Sequence, residues 1–282
     1  MTDSKPDVLV VNNFHPPTIS HIDKIYQTHH LWKLNTEAQN ELIAKLDGKC
    51  KAAVTGSWTF NERAYNLSSL SLISAFGVGI DGIDINLTKE NQIRVTNTPG
   101  VLNDDVADIA LTLILTTNRN IINADKYARS RLWEKSPMPY GSGLAGKTLG
   151  IVGFGRIGEA VAERVLPLKL KIAYHNRTKK DSPHKYFASL IELAHNSDIL
   201  LCILPGGQDT EKVINTDVLK ALGPTGIFIN IGRGTSVDEN SLIEFLAHKK
   251  IAAAGLDVYA EEPLIPKAVS YTHLTLPTIC SV

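Results

Sequence analysis

Short apolar runs alternate with amphipathic stretches in the first hundred residues of the 282-residue chain. The runs predict strands at Val8–Val11, Ala52–Thr55, Leu72–Phe76 and Ile93–Val95, and a helical period predicts a helix over Glu37–Leu46. Strands that alternate with helices form parallel sheets, and such sheets bind ligands beyond the carboxyl ends of their strands. We therefore expect residues 1–100 to form a first α/β domain.

The alternation is more regular in the second half of the chain. Strands are predicted at Leu149–Val152, Leu170–His175, Ile199–Leu204, Ile227–Ile231 and Ala252–Val258. Helices are predicted at Ile157–Val165, Leu190–Ala194, Thr216–Leu222 and Glu239–Ala247. This order of elements is typical of a doubly wound sheet. The predicted fold class is therefore α/β, with two parallel, doubly wound domains.

A helical segment connects the two regions. Thr98-Pro-Gly100 interrupts the first pattern, and Asn103 is then predicted to cap a long helix. Apolar residues at positions 106, 109, 110, 113 and 114 share one face of this helix. A second, more polar helix is predicted over Ile121–Trp133. We expect the second domain to span residues 101–268.

The sequence GFGRIG at residues 153–158 lies between a predicted strand and a predicted helix. Gly153 permits a tight turn, Gly155 lets a pyrophosphate approach the backbone, and Gly158 lets the helix pack on the strand. The phosphates would sit at the helix N-terminus, where N–H groups and the dipole favour anions. Glycines that serve packing alone are the alternative, but the flanking elements favour a dinucleotide site.

The end of the following strand indicates which dinucleotide is bound. NAD-binding folds usually place a carboxylate there to hold the ribose 2′-OH. This strand ends instead in His175, Asn176, Arg177 and Thr178. A guanidinium and a hydroxyl suit a 2′-phosphate. NADP(H) is therefore favoured over NAD(H), with an ordinary surface charge as the alternative interpretation of Arg177.

Charged residues also follow the last predicted strands. Arg233 comes after Ile227–Ile231, and Asp257 and Glu262 lie near the end of the next strand. A surface salt bridge for Arg233 and a helix-start role for Glu262 are the alternatives. Because neighbouring strand ends meet beside a dinucleotide site, these charges favour catalysis.

Two loops in the first region also follow predicted strands. They are Thr55–Trp58 and Gly77–Asp81. In the second loop, glycines on both sides of Val78 leave backbone N–H groups open to a carboxylate. A turn that needs glycine for its geometry alone explains the pattern equally well.

Composition argues against several classes of partner. Acidic and basic residues number 29 each, so the formal net charge of zero favours neither nucleic acid nor an anionic membrane. No apolar run is long enough to span a bilayer. The three cysteines have no metal-ligand spacing, so no metal site is expected, and the odd number fits a reducing cytoplasm.

Five sequence blocks occur in the order that one family uses. They are GVGIDGID (77–84), VTNTPGVLNDDVAD (95–108), VGFGRIG (152–158), NIGRG (230–234) and GLDVYAEEP (255–263). From Val8 to Ala268 the chain resembles the D-isomer-specific 2-hydroxyacid dehydrogenases, and among them the NADPH-dependent glyoxylate/hydroxypyruvate reductases. The resemblance implies a flavodoxin-like substrate domain, a Rossmann NADP-binding domain and a homodimer formed through residues 103–140.

The resemblance also implies roles for individual residues. Arg233 would bind the substrate carboxylate and polarise the keto oxygen, and Glu262 would orient a catalytic histidine and raise its pKa. Val78 and Gly79 would offer backbone N–H groups to the carboxylate of the small-molecule substrate, a 2-keto or 2-hydroxy acid, and Ser57 and Trp58 would shape its pocket. The cofactor would be contacted by Gly153, Gly155, Gly158, Arg156, Ile157, Asn176, Arg177, Thr178, Leu204, Pro205, Thr210, Ile231 and Asp257.

The implied reaction is hydride transfer from NADPH to the α-carbon of glyoxylate or hydroxypyruvate, which gives glycolate or D-glycerate. One alternative is an NAD-dependent D-glycerate or phosphoglycerate dehydrogenase, which Arg177 opposes. Another is a non-enzymatic nucleotide-binding protein that resembles the family's corepressor relatives, which Arg233 and Glu262 oppose.

The sequence departs from the family beyond Glu262. The resemblance implies a histidine within a Pro-His-Ile-Gly-Ser block, and this sequence contains only His273 there, in a different context. Residues 269–282 resemble translated sequencing-adapter sequence, so we expect a gene fragment whose native part ends near Ala268 or Val269. The substrate domain is then expected to be incomplete and the proton donor to be missing.

Overall fold

The computed structural model describes residues 5–56, 60–138, 141–262, 264 and 274–275. The chain separates into two compact units between Leu102 and Asn103. Each unit contains one parallel sheet with helices between its strands. The predicted α/β class with two doubly wound sheets is confirmed.

The first unit contains a five-stranded sheet. Its strands are β1 (Asp7–Val10), β2 (Gln27–His30), β3 (Ala52–Gly56), β4 (Leu72–Phe76) and β5 (Arg94–Thr96). Its α-helices are α1 (Pro16–Ile25), α2 (Thr36–Leu46) and α3 (Ile85–Glu90). The strands lie in the order β2-β1-β3-β4-β5, with every neighbouring pair parallel. All carboxyl ends therefore lie at one edge of the sheet.

Alternation along the strands of the first unit supplies a core on each face of the sheet. Leu9 of β1 and Ile73 of β4 are buried together with Leu46 of α2. Val10, the next residue of β1, packs instead with Ile19 of α1. Successive side chains of a strand point to opposite faces, so both helical layers are held by apolar contacts.

The second unit contains a seven-stranded sheet. Its strands are β6 (Thr148–Val152), β7 (Lys171–His175), β8 (Lys185–Tyr186), β9 (Ile199–Cys202), β10 (Ile227–Asn230), β11 (Ala253–Leu256) and β12 (Leu274–Thr275). Its α-helices are α4 (Asn103–Asn118), α5 (Ile121–Arg129), α6 (Arg156–Val165), α7 (Leu190–His195), α8 (Thr216–Leu222) and α9 (Glu239–Ala247). The strand order is β12-β11-β10-β9-β6-β7-β8, again parallel throughout.

Strand β9 shows why both faces of this sheet are covered. Ile199 and Leu201 pack in the cluster that contains buried residues of α4 and α6. Leu200 and Cys202 pack in the opposite cluster, with residues of α7, α8 and α9. A continuous apolar run of this kind is expected in a parallel strand that lies between two helical layers. None of the helices in the described part of the chain is long and apolar enough to cross a bilayer.

Several predicted boundaries need correction. Helix α4 begins at Asn103, which is therefore its first residue and not its cap. The helix predicted over Ile121–Trp133 ends at Arg129, because Arg131 takes a left-handed conformation with φ +58°. The strand predicted at Ile199–Leu204 ends at Cys202, and the backbone that follows it lies close to Gly153 and Gly232 of neighbouring turns.

The strand predicted at Leu72–Phe76 has those bounds, and several other predicted strands differ from the observed ones by one to three residues. Strands predicted at Val8–Val11 and Ile93–Val95 are shifted by one residue, and Ala52–Thr55 is one residue longer. The strand predicted at Ala252–Val258 is reduced to Ala253–Leu256. Strand β2 was not predicted at all, since its sequence QTHH has no apolar alternation.

Candidate nucleotide site and catalytic edge

Three glycines with different surroundings shape the turn after β6. Gly153 has φ +95°, and a Cβ there would lie 3.1 Å from the carbonyl oxygen of Ile203. A Cβ on Gly158 would lie 3.2 Å from Cδ2 of Phe154, so α6 packs closely on the turn. A Cβ on Gly155 would meet nothing within 4 Å. The outer glycines are therefore required by the fold, whereas Gly155 borders the open space that a pyrophosphate needs.

The N-terminus of α6 opens towards the same space. Gly155 caps the helix without a side-chain acceptor for its first N–H groups. Arg156, the first helical residue, is exposed, and Ile157 is half-buried. Uncapped N–H groups and the helix dipole favour a phosphate at this position. The predicted contacts of Arg156 and Ile157 with a pyrophosphate are compatible with this arrangement.

Asn176 holds the glycine turn from the end of β7. Its Oδ1 accepts the N–H of Phe154 at 2.6 Å, and its Nδ2 donates to the Phe154 carbonyl at 3.0 Å. Tyr186 donates its hydroxyl to the Asn176 carbonyl at 3.2 Å. The Asn176 amide thus bonds to the turn itself, and its predicted contact with the adenosine end stays a prediction.

Arg177 follows Asn176 and is exposed to solvent. The Arg177 side chain is 92% exposed, and its Nη1 lies 3.7 Å from Oδ2 of Asp209, whose side chain is 85% exposed. An ion pair this long and this exposed contributes little to stability. Arg177 is therefore accessible from solvent, as is Thr178 beside it, and their predicted contacts with a 2′-phosphate stay predictions. Asp209 was missed, although it follows β9 at the same sheet edge.

The loop after β9 carries other residues that were predicted to contact the cofactor. Thr210 donates its hydroxyl to the Pro205 carbonyl at 2.7 Å, and its Oγ1 lies 3.0 Å from the Gly207 carbonyl oxygen. Leu204 lies against Gly153, with its Cδ2 3.2 Å from the position of a Cβ there. These contacts fold the loop beside the glycine turn, and the predicted contacts of Leu204, Pro205 and Thr210 with a cofactor stay predictions.

Arg233 lies in the loop between β10 and α9. Its carbonyl oxygen accepts three hydrogen bonds, from Asn230 Nδ2 at 3.1 Å, Ser236 Oγ at 2.6 Å and Ser236 N at 3.2 Å. Its Nη1 donates to the Gly232 carbonyl at 2.9 Å. Asn230 also accepts the Gly232 N–H through its side chain at 3.1 Å. Buried side chains therefore hold the backbone of the half-buried Arg233 in place.

The glycines on either side of Arg233 allow close approach from both neighbours. A Cβ on Gly232 would lie 2.5 Å from the Leu204 carbonyl oxygen, and one on Gly234 would lie 1.8 Å from the Tyr259 carbonyl carbon. Backbone cannot yield to such overlaps. The Arg233 loop is thus enclosed between the segments that follow β9 and β11, which the sequence did not predict.

Asp257 and Glu262 follow β11, beside the Arg233 loop. The Asp257 N–H donates to the Asn230 carbonyl at 3.0 Å, which joins the ends of β10 and β11. Ile231, beside it, is buried and donates its N–H to the Cys202 carbonyl at 3.1 Å. Glu262 is exposed, and its Oε1 accepts the Tyr259 N–H at 2.8 Å.

The predicted roles of these two carboxylates stay predictions. His273, the candidate partner of Glu262, lies outside the described residues. Burial and the charges of Asp257, Glu262 and Glu239 raise the pKa of Tyr259 to about 12, so Tyr259 remains a neutral phenol.

In the first unit, Val78 and Gly79 follow β4 at the carboxyl edge of its sheet. Asn97 donates its side-chain N–H to the Val78 carbonyl at 2.7 Å, and Thr98 Oγ1 accepts the Gly77 N–H at 3.1 Å. Neither bond uses the N–H of Val78 or Gly79, and the predicted contact of these N–H groups with a carboxylate stays a prediction. Ser57 and Trp58 lie outside the described residues.

An aromatic stack at this edge was not predicted. The ring of Phe76, at the end of β4, lies 5.4 Å from that of Phe14 and 5.5 Å from that of His15, with both pairs stacked. His15 Nδ1 lies 2.8 Å from the Thr18 hydroxyl. Phe14 and His15 follow β1, so aromatic rings from two strand ends meet at one edge. The sequence contained a signal for this stack, since each of these rings lies at the end of a predicted strand or just after it.

Metal ligation is not supported in the part of the chain that the structure describes. No group of three or more His, Cys, Asp or Glu side chains there has the geometry to hold a metal ion.

Comparisons with known proteins identify the family. The profile described as "D-isomer specific 2-hydroxyacid dehydrogenase, NAD binding domain" matches residues 111–278. A hydroxyphenylpyruvate reductase from Plectranthus scutellarioides is 41% identical over 250 residues, which are 87% of this chain and 79% of that relative. Glyoxylate/hydroxypyruvate reductase A of Arabidopsis thaliana is 43% identical over 203 residues, which are 72% of this chain and 65% of that relative.

A solved structure agrees with these relatives. The NADPH-dependent glyoxylate/hydroxypyruvate reductase of Sinorhizobium meliloti, in complex with NADP and malonate, superposes with a TM-score of 0.88 at 34% identity. The likeness covers 99% of this chain and 88% of that one. The chain belongs to the D-isomer-specific 2-hydroxyacid dehydrogenase family.

Proposed function

We propose that this chain is an NADPH-dependent reductase of small 2-keto acids, with glyoxylate and hydroxypyruvate as its substrates. One observation carries the proposal. The open glycine turn after β6 and the braced Arg233 after β10 lie at the carboxyl edge of one sheet, where a single strand, β9, separates their strands. This spacing suits a dinucleotide whose reactive end reaches the arginine. The names of the Arabidopsis and Sinorhizobium relatives support the substrate class.

The residues at the glycine turn fit NADP(H). The open space at Gly155 would admit the pyrophosphate, and Arg177 would bind the 2′-phosphate through charge-assisted hydrogen bonds. No carboxylate follows β7 directly, as an NAD-specific site would require. When bound, the cofactor supplies the hydride.

Arg233 would act on the substrate. A guanidinium binds a carboxylate through two parallel hydrogen bonds, which orients a 2-keto acid. Its positive charge also stabilises the negative charge that develops on the keto oxygen. Val78 and Gly79 would donate backbone N–H groups to the carboxylate, and Glu262 would orient the proton donor. These assignments rest on position at the strand ends and on family membership.

The direct test is reduction of glyoxylate by the purified chain, followed as NADPH consumption, with NADH as the comparison. The chain is assayed at high concentration, because loss of the expected proton donor should slow turnover by about 10²- to 10⁴-fold. We expect NADPH to be consumed faster than NADH at equal concentration, and kcat/KM of an Arg233→Gln variant to fall by about 10²- to 10³-fold. Equal rates with NADH would overturn the cofactor assignment. Full activity of Arg233→Gln would overturn the catalytic one.

A second candidate substrate class is favoured by the aromatic stack of Phe14, His15 and Phe76. Rings at the carboxyl edge of the first sheet could pack against the arene of an arylpyruvate. The Plectranthus relative is named for such a substrate. Comparing kcat/KM for hydroxypyruvate and 4-hydroxyphenylpyruvate decides between the classes. Phe76→Ala should lower only the arylpyruvate value if the stack binds the ring.

Assembly as a homodimer through residues 103–140 is also proposed. Helix α5 contains no buried residue in the single chain, and Ile121, Leu132 and Trp133 are 47%, 43% and 73% exposed. Exposed apolar residues that lie on a helix and on the turn that follows it often mark an interface. Sedimentation velocity should give a dimer that Trp133→Glu dissociates. Domain limits at 1–100 and 101–268 and a cytoplasmic location stay predictions.

A further inference from the structure

The carbonyl oxygen of Arg233 receives more hydrogen bonds than it needs. A carbonyl oxygen has two acceptor lone pairs. The Ser236 N–H at 3.2 Å and Asn230 Nδ2 at 3.1 Å already use both. The Ser236 hydroxyl adds a third bond, at 2.6 Å. Satisfying a buried carbonyl therefore does not account for this hydroxyl.

The Ser236 hydroxyl also connects the Arg233 loop to the core of the sheet. Cys202, the last residue of β9, has its Sγ 3.4 Å from Ser236 Oγ. Both residues are fully buried. Burial raises the pKa of the Cys202 thiol, so Cys202 keeps its proton. The thiol can then donate to Ser236 Oγ while the serine hydroxyl donates to the Arg233 carbonyl.

This connection bears on the direction of the Arg233 side chain. The peptide plane that follows Arg233 is fixed by donors from its own turn and from β10. Ser236 adds an attachment, through Cys202, to β9, the strand between Arg233 and the glycine turn. Two parallel hydrogen bonds to a planar carboxylate form only when the guanidinium is well aligned. The backbone of such an arginine must therefore be held firmly.

We infer that Ser236, supported by Cys202, is a positioning residue that aligns Arg233 with the carboxylate of the substrate. The inference rests on the proposed function, because it assumes that Arg233 binds that carboxylate. Ser236 acts through the backbone of Arg233 and has no contact with substrate of its own. Its removal should weaken substrate binding without changing cofactor binding.

Ser197 offers a matched control for the test. It is also a buried serine of the second unit, and its hydroxyl donates to the Leu193 carbonyl at 2.6 Å. It precedes β9, at the opposite end of the strand from Cys202. Ser197→Ala and Ser236→Ala therefore remove similar bonds, and only the second lies beside Arg233. Ser236→Thr keeps the hydroxyl and serves as the rescue variant.

The experiment measures the affinity of oxalate, a planar dicarboxylate, for the NADPH-bound chain, together with KM and kcat for glyoxylate. Ser236→Ala should weaken oxalate binding and raise the glyoxylate KM by about three- to tenfold, the usual effect of one lost hydrogen bond. The Kd for NADPH should stay unchanged. Ser197→Ala should leave oxalate affinity at the wild-type value, and Ser236→Thr should restore it.

Equal oxalate affinities for Ser236→Ala and Ser197→Ala would overturn the inference, as would failure of a folded Ser236→Thr chain to restore binding. Arg233→Gln separates this result from failure of the proposed function. If Arg233→Gln loses oxalate binding while Ser236→Ala keeps it, only the positioning role is wrong. If Arg233→Gln binds oxalate as wild type does, the assumed role of Arg233 is itself wrong.

Discussion

Two arginines at the carboxyl edge of the second sheet are held in opposite ways. Arg233 is half-buried, and its carbonyl accepts bonds from Asn230 and Ser236, both almost fully buried. Arg177 is 92% exposed, and its nearest anion, on Asp209, lies 3.7 Å away. One arginine is therefore fixed before any ligand arrives, whereas a ligand must order the other.

The difference fits what each arginine is proposed to do. Stabilising a developing charge depends on groups that are already oriented, because reorganisation during the reaction costs rate. Binding a ground-state phosphate requires no such preparation, and the phosphate can order a mobile side chain itself. A site that combines both tasks on one sheet can thus keep rigidity where the chemistry occurs.

Replacing Arg233 should give the largest effect. Arg233→Gln removes the charge opposite the keto oxygen, and kcat/KM for glyoxylate should fall by about 10²- to 10³-fold. The Kd for NADPH should hardly change. Arg94→Gln is a suitable control, since Arg94 is exposed and is the first residue of β5, at the opposite end of that strand from the carboxyl edge. A parallel loss of NADPH affinity in Arg233→Gln would contradict the proposal that Arg233 binds the substrate and Arg177 binds the cofactor.

Replacing Arg177 should act on the cofactor alone. Arg177→Ser removes the charge that would meet the 2′-phosphate, so the KM for NADPH should rise by about ten- to a hundredfold. The KM for NADH and the affinity for oxalate should stay near wild type. Steady-state kinetics with both cofactors checks this. If NADH suffers as much as NADPH, Arg177 is not a 2′-phosphate ligand.

Replacing Asp209, the carboxylate nearest to Arg177, tests whether Arg177 is available to the cofactor. In Asp209→Asn the competing carboxylate is gone, so NADPH should bind about two- to fivefold more tightly. The gain should be larger at low salt, where exposed charges are less screened. Titrations at two ionic strengths measure it. Weaker NADPH binding would mean that Asp209 assists the cofactor, contrary to this account.

The smallest effect is expected at Asp238, which caps α9 behind the Arg233 loop. Its side chain accepts the Ser241 N–H, and bonding by the Ser241 hydroxyl is the main cause that lowers the Asp238 pKa. Asp238→Ala should lower the free energy of unfolding by about 1 kcal/mol. The affinities for oxalate and for NADPH should be unchanged at neutral pH.

The pH dependence of that difference follows from the lowered pKa. A carboxyl with a depressed folded-state pKa stabilises the fold above its ordinary pKa, and the contribution is lost as the pH falls through the folded value. The difference between wild type and Asp238→Ala should therefore be constant near neutrality and shrink below the ordinary value of 3.8. Urea titrations near neutral pH and below pH 3.8 measure this difference in the free energy of unfolding. The same difference at both would show that Asp238 has no such linkage.

The sequence predicted the parts of the site that depend on chain order. Gly153, Gly158 and Arg233 were located because turns follow buried strands, and parallel strands bring their ends to one edge. The identity of the fold followed from the same alternation. These features depend on short-range patterns that a single sequence contains.

The remaining parts depend on pairings across the sheet. Cys202 and Ser236 are 34 residues apart, and their contact exists because β9 pairs with β10 in one register. Asp209 comes close to Arg177 only because β9 and β7 flank β6. The Asn176 amide bonds to Phe154 across the glycine turn, and the sequence did not predict this partner. Composition and period carry no information on such partners.

The most direct measurement compares the binding of 2′,5′-ADP and 5′-AMP to the wild-type chain by calorimetry. The two ligands differ only in the 2′-phosphate, and neither requires the substrate or the residues beyond Glu262. We expect 2′,5′-ADP to bind at least about tenfold more tightly than 5′-AMP. Equal affinities would contradict the assignment of NADP(H) to this site.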